Sequence, residues 1–348
     1  MIGHLTRGEI ESQPAVWRSV LSSWPIIAKE LAAWRDRLAD TQLVFTGCGT
    51  TYALGLSSAA HFHHYGISAH AYPASELAAY PEMLPSAATT MVAISRSGST
   101  SETLWAVEAF KKQLPGSLVF AITTQPVSPL AKMANIVLDA SAARENSVVE
   151  TRSFTSMLLL SRELAAFLGR DPGLHNRLLR LPSVLEDLNQ RSKDKMQILG
   201  EDMQLQRFFF LGGGSMYGTA LEGMYKIKQF TAGWAEAFHP LEFRHGPKTL
   251  AGPGALIVGL VADRAAGETL HLLCELQTGG AHCLAVVDDS DILDLKGIEN
   301  VVELKSDLNE WERAALVLPP LHWLAFHRAL QLGRDPDKPA GLQAITLL

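Results

Sequence analysis

Short apolar runs alternate with longer segments of helical periodicity along most of the chain. An amphipathic stretch runs from Val16 to Leu38, and it is followed by strand-like apolar runs near 43–46, 69–72, 90–95, 117–122 and 135–139. The segments between these runs show the spacing of helices. Strands that alternate with helices predict right-handed βαβ crossovers and a parallel sheet that is covered on both faces.

The second half of the chain repeats the first at an offset of 164 to 166 residues. The segment 43–49 matches 208–214, since in each an apolar run leads into a glycine-rich turn. Three further pairs keep the same order: Met91–Leu104 with Ile257–Leu270, Asn135–Val137 with Asn300–Val302, and Leu168–Pro172 with Leu332–Pro336. Collinear matches indicate an internal duplication. The predicted fold class is therefore α/β, with two duplicated domains, each a five-stranded parallel sheet in a flavodoxin-like three-layer arrangement.

The duplication also predicts the domain organisation. The expected parts are an N-terminal helical segment (1–40), a first α/β domain (41–172), a helical linker (173–203), a second α/β domain (204–336) and a C-terminal tail (337–348). Ligands of such sheets bind beyond the carboxyl ends of the strands, where loops lead into helices. This rule points to the loops at 47–51 and 95–100.

Composition narrows the class of protein. The chain has 348 residues, of which 47% are hydrophobic and 19% charged, as expected for two globular domains. A net charge of -6 argues against a nucleic-acid or anionic-membrane surface, which would select clustered Lys and Arg. Cys48, Cys274 and Cys283 form no CxxC pair, so neither a disulfide framework nor a zinc site is indicated. With no signal pattern and no apolar span, we expect a cytoplasmic protein.

The strongest local motif is Ser95-Arg96-Ser97-Gly98-Ser99-Thr100, between a predicted strand and a predicted helix. Its hydroxyls and the backbone N–H groups of a helix start can hold a phosphate dianion. A Ser/Thr-rich N-cap is the alternative interpretation, although a cap needs one hydroxyl rather than four. The aligned segment of the second half, Val261–Ala266, lacks hydroxyls and carries Asp263, so we expect phosphate binding in the first half alone.

The turn Gly47-Cys48-Gly49 could instead belong to a dinucleotide-binding fold. Tyr52 stands where the GxGxxG pattern needs its third glycine, and no acidic residue ends the second strand, so NAD or FAD is not expected. Cys48 at a helix start could be a nucleophile, but no histidine neighbours it in sequence, and a small packed residue is favoured.

A histidine triplet, His61, His63 and His64, lies on the first predicted helix after the turn. Positions 61 and 64 share a helix face, but no acidic or cysteine partner lies at ligand spacing. A surface histidine cluster is therefore favoured over a metal site.

The second half supplies two residues suited to acid–base chemistry. A sugar isomerase needs a carboxylate to move a proton between adjacent carbons and an acid or base to open the sugar ring. Glu222 lies on a predicted helix and His245 lies in the segment Phe243–Lys248. A solvated helix residue and a turn residue are the alternative interpretations, and spacing does not decide between them.

Together these motifs resemble the tandem SIS (sugar isomerase) proteins over nearly the whole chain. That family includes the isomerase half of glucosamine-6-phosphate synthase, AgaS-type sugar-phosphate isomerases and deaminases, and fructosamine-phosphate deglycases. The resemblance rests on Thr46–Thr51, Ile94–Thr100, Val148–Thr155, Ala220–Gly223 and Phe243–Pro247, and Thr6–Pro14 is similar to the start of AgaS-type chains.

The resemblance implies a homodimer with shared active sites that binds a small sugar phosphate without a metal or organic cofactor. Glu222 matches the family's proton-transfer carboxylate, and His245 matches the ring-opening histidine, which in the synthase reaches in from the neighbouring subunit. The implied substrate-binding residues are Ser95, Arg96, Ser97 and Thr100 for the phosphate, and Cys48, Gly49, Thr50, Val148 and Glu150 along the sugar.

Two departures from the synthase refine this expectation. The synthase has a cysteine at position 2 of a glutaminase domain, whereas this chain has Ile2, so we expect no complete glutamine-dependent synthase. Ala344 stands where the synthase tail carries a lysine, so Schiff-base chemistry is not expected. The sequence thus predicts a phosphosugar isomerase/deaminase that acts on a ketose or amino-sugar 6-phosphate by proton transfer between C1 and C2. A fructosamine-6-phosphate deglycase and a non-catalytic sugar-phosphate-binding regulator are the alternatives.

Overall fold

The computed structural model describes residues 2–38, 41–84, 88–291 and 293–348, which form two compact units. The first unit comprises Ala15–Glu145, Arg152–Leu179 and Gln343–Leu348. The second unit comprises Met1–Pro14, Asn146–Thr151 and Arg180–Leu342. Both units are therefore discontinuous in sequence.

Each unit contains a five-stranded, all-parallel sheet, which confirms the predicted fold class. The strands are β1 (Gln42–Gly47), β2 (Ala69–Pro73), β3 (Thr89–Ile94), β4 (Val119–Thr123), β5 (Ile136–Asp139), β6 (Arg207–Gly212), β7 (Trp234–Phe238), β8 (Ala255–Leu260), β9 (His282–Val287) and β10 (Asn300–Glu303). The first sheet has the order β2-β1-β3-β4-β5, and the second has the corresponding order, read from its other edge as β10-β9-β8-β6-β7. The central strands β1, β3 and β4 are buried almost throughout, because helices cover both faces of a parallel sheet.

Helices separate the strands and cover the sheets. They are α1 (His4–Glu11), α2 (Gln13–Ala32), α3 (Arg35–Leu38), α4 (Thr50–His64), α5 (Ala74–Ala79), α6 (Ser101–Gln113), α7 (Pro129–Met133), α8 (Arg152–Gly169), α9 (Leu174–Leu178), α10 (Leu181–Glu201), α11 (Ser215–Thr231), α12 (Pro240–Phe243), α13 (Ala266–Thr278) and α14 (Leu318–Gln331). In the first unit, α5, α6 and α7 pack on one face of the sheet through residues such as Leu77, Phe110 and Leu130. Among the described helices, none is both long enough and apolar enough to cross a membrane.

The duplication is visible in the backbone as well as in the sequence. Gly49 precedes α4 with φ 53° and ψ -114°, and Gly214 precedes α11 with φ 54° and ψ -129°. A positive φ of this size is readily adopted by glycine alone. The two halves therefore keep the same turn between the first strand and the first helix of each sheet.

The prediction that His61, His63 and His64 lie on the surface is wrong for one of the three. His63 and His64 are exposed, but His61 is fully buried and packs against Tyr65, with ring centroids 5.2 Å apart. Because α4 packs against α8, its face at position 61 turns inward. Burial, with the nearby charge of Arg162, holds the pKa of His61 well below its ordinary value.

A second buried histidine gives the fold a pH dependence. His322 on α14 is fully buried, and neither of its ring nitrogens has a hydrogen-bond partner among the described residues. Burial, and then the charge of Lys226, hold the pKa of His322 well below its ordinary value. The folded state therefore keeps this ring neutral, whereas in the unfolded chain it binds a proton near pH 6.5.

We expect the contribution of His61 and His322 to the free energy of unfolding to be fully present above about pH 6.5 and to fall with decreasing pH. Each such histidine contributes up to about 1.4 kcal/mol per pH unit to that fall. His322→Leu removes one titrating group without breaking a hydrogen bond, so denaturant unfolding at pH 7 and pH 5 should show a smaller difference. The exposed control His63→Gln should keep the wild-type difference. Equal differences in all three proteins would contradict the assignment.

Candidate active site

The loop Ser95–Thr100 connects β3 to α6 at the carboxyl edge of the first sheet. The Ser95 side chain is only 3% exposed, and its hydroxyl accepts a hydrogen bond from the Gly98 N–H (3.1 Å). Ser97, Ser99 and Thr100 are half-buried, and the Ser97 hydroxyl accepts a bond from the Ser99 N–H (3.2 Å). A hydroxyl that accepts one bond can still donate its own proton. Ser95 thus shapes the loop, while the other hydroxyls lie nearer to solvent.

Neighbouring segments brace this loop through its backbone. The Arg96 carbonyl accepts hydrogen bonds from the Thr124 hydroxyl (2.9 Å) and the Thr123 hydroxyl (3.2 Å), at the end of β4. The Gly98 carbonyl accepts a bond from the Leu130 N–H (3.0 Å) in α7. The loop is therefore fixed to the rest of the sheet without using its half-buried hydroxyls.

Gly98 is required by both its conformation and its surroundings. Its φ is +61°, and a Cβ placed there would lie 2.0 Å from the Ser128 Oγ. Ser128 cannot easily move, because its hydroxyl caps α7 by accepting a bond from the Ala131 N–H (3.3 Å). The loop can therefore adopt this shape only with glycine at position 98.

The C-terminal tail lies at the start of α6, beside the loop. Arg96 donates to the Ala344 carbonyl (3.0 Å), and its guanidinium lies 3.6 Å from the Glu145 carboxylate. The Leu348 N–H donates to the Ser101 hydroxyl (3.0 Å). Ala344 is thus placed near the candidate phosphate loop through its backbone, and the Arg96 guanidinium is held by other protein groups.

The loop after β1 lies next to the loop Ser95–Thr100, because β1 and β3 are neighbouring strands with Thr46 opposite Ala93. Cys48 is half-buried, its N–H donates to the Thr51 hydroxyl (2.9 Å), and its sulfur lies 3.6 Å from the Thr103 hydroxyl. Burial raises the pKa of the Cys48 thiol, which outweighs the opposite effect of the Thr103 hydrogen bond. A protonated thiol fits a packed residue better than a nucleophile. Gly49 and Thr50 follow at the start of α4.

In the second unit, Glu222 is not the solvated helix residue that the alternative interpretation required. It is fully buried on α11, with a carboxylate oxygen 2.9 Å from the Nζ of Lys226, which is also fully buried. The Lys226 ammonium also donates to the Gln229 side-chain oxygen (2.8 Å). Spacings of four and three residues place all three side chains on one helix face. The spacing of Glu222 and Lys226 is the sequence signal that could have found this pair.

His245 lies in an exposed turn that follows α12. The turn is anchored to α13, because Arg244 and Lys248 both pair with Glu275, at 2.6 Å and 3.0 Å. Hydrogen bonds from Lys248 and Arg244 hold the pKa of Glu275 below its ordinary value. His245 is therefore exposed to solvent, in a turn whose flanking residues are held to α13 by ion pairs.

The segment Asn146–Thr151, which includes Val148 and Glu150, is held by α1 and by the chain that follows α14. The Glu9 carboxylate accepts bonds from the Asn146 N–H (2.6 Å) and from the Ser147 N–H and hydroxyl. The Val148 N–H donates to the Asp337 carbonyl (3.1 Å). Val148 and Glu150 are half-buried. Sequence reasoning missed Glu9 and Asp337, because no local pattern connects residues so far apart in the chain.

The second unit differs chemically at the position that corresponds to the loop Ser95–Thr100. Asp263 forms a paired contact with the buried Arg313 (2.9 Å and 2.5 Å). The Glu310 carboxylate accepts a bond from the Arg264 N–H (3.1 Å), just before α13. A protein carboxylate thus bonds the backbone amide at this position.

Comparison with known proteins identifies a family model that matches this chain and several proteins that are similar to it. The family model described as SIS domain matches residues 39–166 and 204–292. Over 342 residues, the chain is 28% identical to the glutamine–fructose-6-phosphate aminotransferase (isomerizing) of Methanothermobacter thermautotrophicus, covering 97% of this chain and 56% of that protein. The chain therefore spans about half the length of the curated relatives it matches.

Solved structures with the same fold include two sugar-phosphate enzymes. A glucosamine-6-phosphate deaminase from Thermotoga maritima superposes with a TM-score of 0.80 and 27% identity over 99% of each chain. A tagatose-6-phosphate ketose/aldose isomerase from Escherichia coli superposes with a TM-score of 0.85 and 24% identity, covering 98% of this chain and 96% of that one. The second likeness shows the fold alone.

We expect Gly98→Ala to destabilise the protein more than a matched substitution, Gly116→Ala. Gly116 has φ +83°, but a Cβ there would meet no atom within 4 Å, so its cost is the backbone cost of about 1–2 kcal/mol. At Gly98, the clash with Ser128 adds about 1–3 kcal/mol. Denaturant unfolding measures the stability difference, and titration with inorganic phosphate should show weaker binding for Gly98→Ala alone. Equal losses of stability would show that Ser128 does not constrain the loop.

Proposed function

Since the chain belongs to the SIS domain family, we propose that it is a phosphosugar isomerase/deaminase that acts on a ketose or amino-sugar 6-phosphate. The observation that carries the proposal is the braced loop Ser95–Thr100 at the start of α6. Its Ser97, Ser99 and Thr100 hydroxyls are half-buried, and bonds from Thr123, Thr124 and Leu130 to its carbonyls brace its backbone. Such a loop binds a phosphate ester without large rearrangement.

The affinity would come from charge-assisted hydrogen bonds. Each bond from a hydroxyl or backbone N–H to a phosphate oxygen contributes about 1.5–3 kcal/mol, so a few are enough for a small ester. The start of α6, a helix of 13 residues, adds a favourable dipole. The corresponding loop of the second unit is a poor competitor, since Glu310 already bonds its backbone.

The reaction we propose is proton transfer between C1 and C2 of the opened sugar. His245 would deliver a proton to the ring oxygen, and Glu222 would take the C2 proton and return it at C1. That direction applies to an amino sugar, and hydrolysis of the resulting C2 imine by water would release ammonia and leave the ketose phosphate. For a ketose, Glu222 would instead take a C1 proton and return it at C2. The exposed position of His245 agrees with its proposed service to the partner chain of a homodimer.

The burial of Glu222 favours a second candidate function, a non-catalytic sugar-phosphate-binding regulator. A base must come within hydrogen-bond reach of the proton it removes, and Glu222 is sealed and paired with Lys226. Catalysis by Glu222 therefore requires that α11 or its neighbours open when the substrate binds. A regulator would require no such opening.

Similarity over the full length to a glucosamine-6-phosphate deaminase favours an amino sugar as the substrate. Products decide among the remaining reactions, because a deaminase releases ammonia, an isomerase releases none, and a fructosamine-6-phosphate deglycase releases the amine carried by its substrate. Ala344 in place of a lysine agrees with a reaction that needs no Schiff base from the tail.

We expect Ser97→Ala combined with Thr100→Ala to weaken binding of fructose 6-phosphate, glucosamine 6-phosphate and inorganic phosphate by similar factors of about a hundredfold or more. The reason is that these ligands share the phosphate, and each lost bond is worth about 1.5–3 kcal/mol. Calorimetric titration measures the affinities. Ser117→Ala, a serine outside the loop, should bind as wild type. Full affinity in the double variant would place the phosphate elsewhere.

We expect Glu222→Gln to abolish deuterium incorporation into the substrate during incubation in heavy water, with phosphate binding retained. A carboxylate that carries the proton exchanges it with solvent, whereas the amide cannot. Mass spectrometry of recovered glucosamine 6-phosphate or fructose 6-phosphate measures the label.

A matched variant separates chemistry from stability in this experiment. Glu222→Gln leaves Lys226 buried without its counter-charge, which costs about 3–5 kcal/mol, so Glu222→Gln with Lys226→Met should be more stable and still unlabelled. Persistent labelling in a folded variant would mean that another base carries the proton. No labelling by wild type, despite tight phosphate binding, would favour the regulator.

A further inference from the structure

Two adjoining cavities lie in the first unit at the opposite edge of the sheet from the phosphate loop. They have volumes of about 260 and 370 Å³ and share Arg35, Phe167 and Arg170 in their walls. The smaller cavity also reaches Thr41 and Ser68, which precede β1 and β2. Since β1 has six residues, about 20 Å of strand separates this edge from the phosphate loop.

The walls combine an aromatic surface with positive charge. The rings of Trp24 and Phe167 meet edge to face, with centroids 6.4 Å apart. The Arg35 guanidinium lies over the Phe167 ring at 5.2 Å. Arg35 and Arg170 both line the cavities, and neither forms an ion pair with a residue that the structure describes. Two guanidinium groups are therefore available to an anion.

The negative groups of the same walls are already engaged. Glu163 is buried and hydrogen-bonded to His175 at 2.6 Å. Asp171 accepts bonds from Arg177 (2.6 Å), from the Tyr65 hydroxyl (3.0 Å) and from the Gly173 N–H (3.0 Å). The charge that remains unpaired at the cavities is thus positive.

The backbone of Arg170 has a conformation that is unusual for an arginine. Arg170 has φ +58°, in the left-handed region at the end of α8, where glycine is the usual residue. In the duplicated segment of the second unit, Arg334 corresponds to Arg170, and the left-handed residue is Gly333, one position earlier, with φ +66°. Gly169 cannot be exchanged for a larger residue, because a Cβ there would lie 2.4 Å from the Tyr65 ring. Arg170 thus occupies a position where the backbone conformation alone favours glycine.

We propose that these two cavities form a second ligand site of the first unit, which takes a small anion carried on an aromatic ring. The ring packs against Phe167 and Trp24, and the anionic group, a carboxylate, sulfonate or phosphate, bonds to Arg35 and Arg170. A cavity of this size and composition is typical of sites for small organic ligands. The inference does not depend on the reaction proposed above.

The test is calorimetric titration with 2-naphthoate and with its neutral analogue 2-naphthalenemethanol. Wild type should bind 2-naphthoate more tightly than the alcohol by at least tenfold. Arg170→Gly and Arg35→Gln should each weaken 2-naphthoate by about tenfold and leave the alcohol unchanged. Arg170→Gly should also raise the melting temperature, which shows that the fold is intact. Lys112→Gln, which removes an exposed charge from α6, should bind 2-naphthoate as wild type does.

Several results would overturn the inference. The first is that wild type shows no measurable binding of 2-naphthoate. The second is that the two arginine variants bind 2-naphthoate as tightly as wild type does. The third is that Lys112→Gln loses as much affinity for 2-naphthoate as the arginine variants do. Displacement of 2-naphthoate by saturating inorganic phosphate, or its loss in Ser97→Ala with Thr100→Ala, would place it in the phosphate loop instead. A change of oligomeric state in Arg170→Gly, measured by light scattering, would show that copies of the chain cover this face.

Discussion

The close approach of Gly98 to Ser128 is the constraint on which the candidate phosphate site depends. A Cβ at position 98 would lie 2.0 Å from the Ser128 hydroxyl, and that hydroxyl is committed to the first turn of α7. Position 98 must therefore be a glycine, and its φ is positive. That conformation lets the Gly98 N–H return to Ser95 and leaves Ser97, Ser99 and Thr100 half-buried at the start of α6. A loop fixed in this way loses little entropy when it binds an anion.

The two halves of the chain keep one backbone and have diverged in chemistry. Gly49 and Gly214 adopt nearly the same dihedral angles, and both sheets have the same strand order. In the first unit, hydroxyls follow the third strand along the chain, whereas in the second unit Asp263 and Glu310 supply carboxylates at the corresponding place. The second unit instead buries a charged pair, Glu222 with Lys226. The two units thus share one fold but carry different side chains at the corresponding positions.

Most of the fold could be predicted from the sequence, because apolar periodicity and repetition report directly on buried strands. All five predicted strands of the first half are present, and the largest shift is at β4, which begins at Val119 rather than 117. Burial of polar side chains was harder to predict. Nothing in the sequence distinguishes the buried His61 from its exposed neighbours. The buried Ser95 hydroxyl accepts a hydrogen bond from the Gly98 N–H, and no sequence pattern predicts that bond. The bonds from Glu9 to Ser147 join residues that are distant in the chain, so only the folded structure reveals them.

The most direct measurement of the central claim is a crystal structure of the protein with bound glucosamine 6-phosphate. If the loop Ser95–Thr100 binds the phosphate, its oxygens will lie about 3 Å from the Ser97 and Thr100 hydroxyls and from backbone N–H groups of the loop. The loop itself should keep its shape, with Gly98 against Ser128. A phosphate found at the start of α13, or beside Arg35 and Arg170, with the loop Ser95–Thr100 making no contact to it, would contradict the claim.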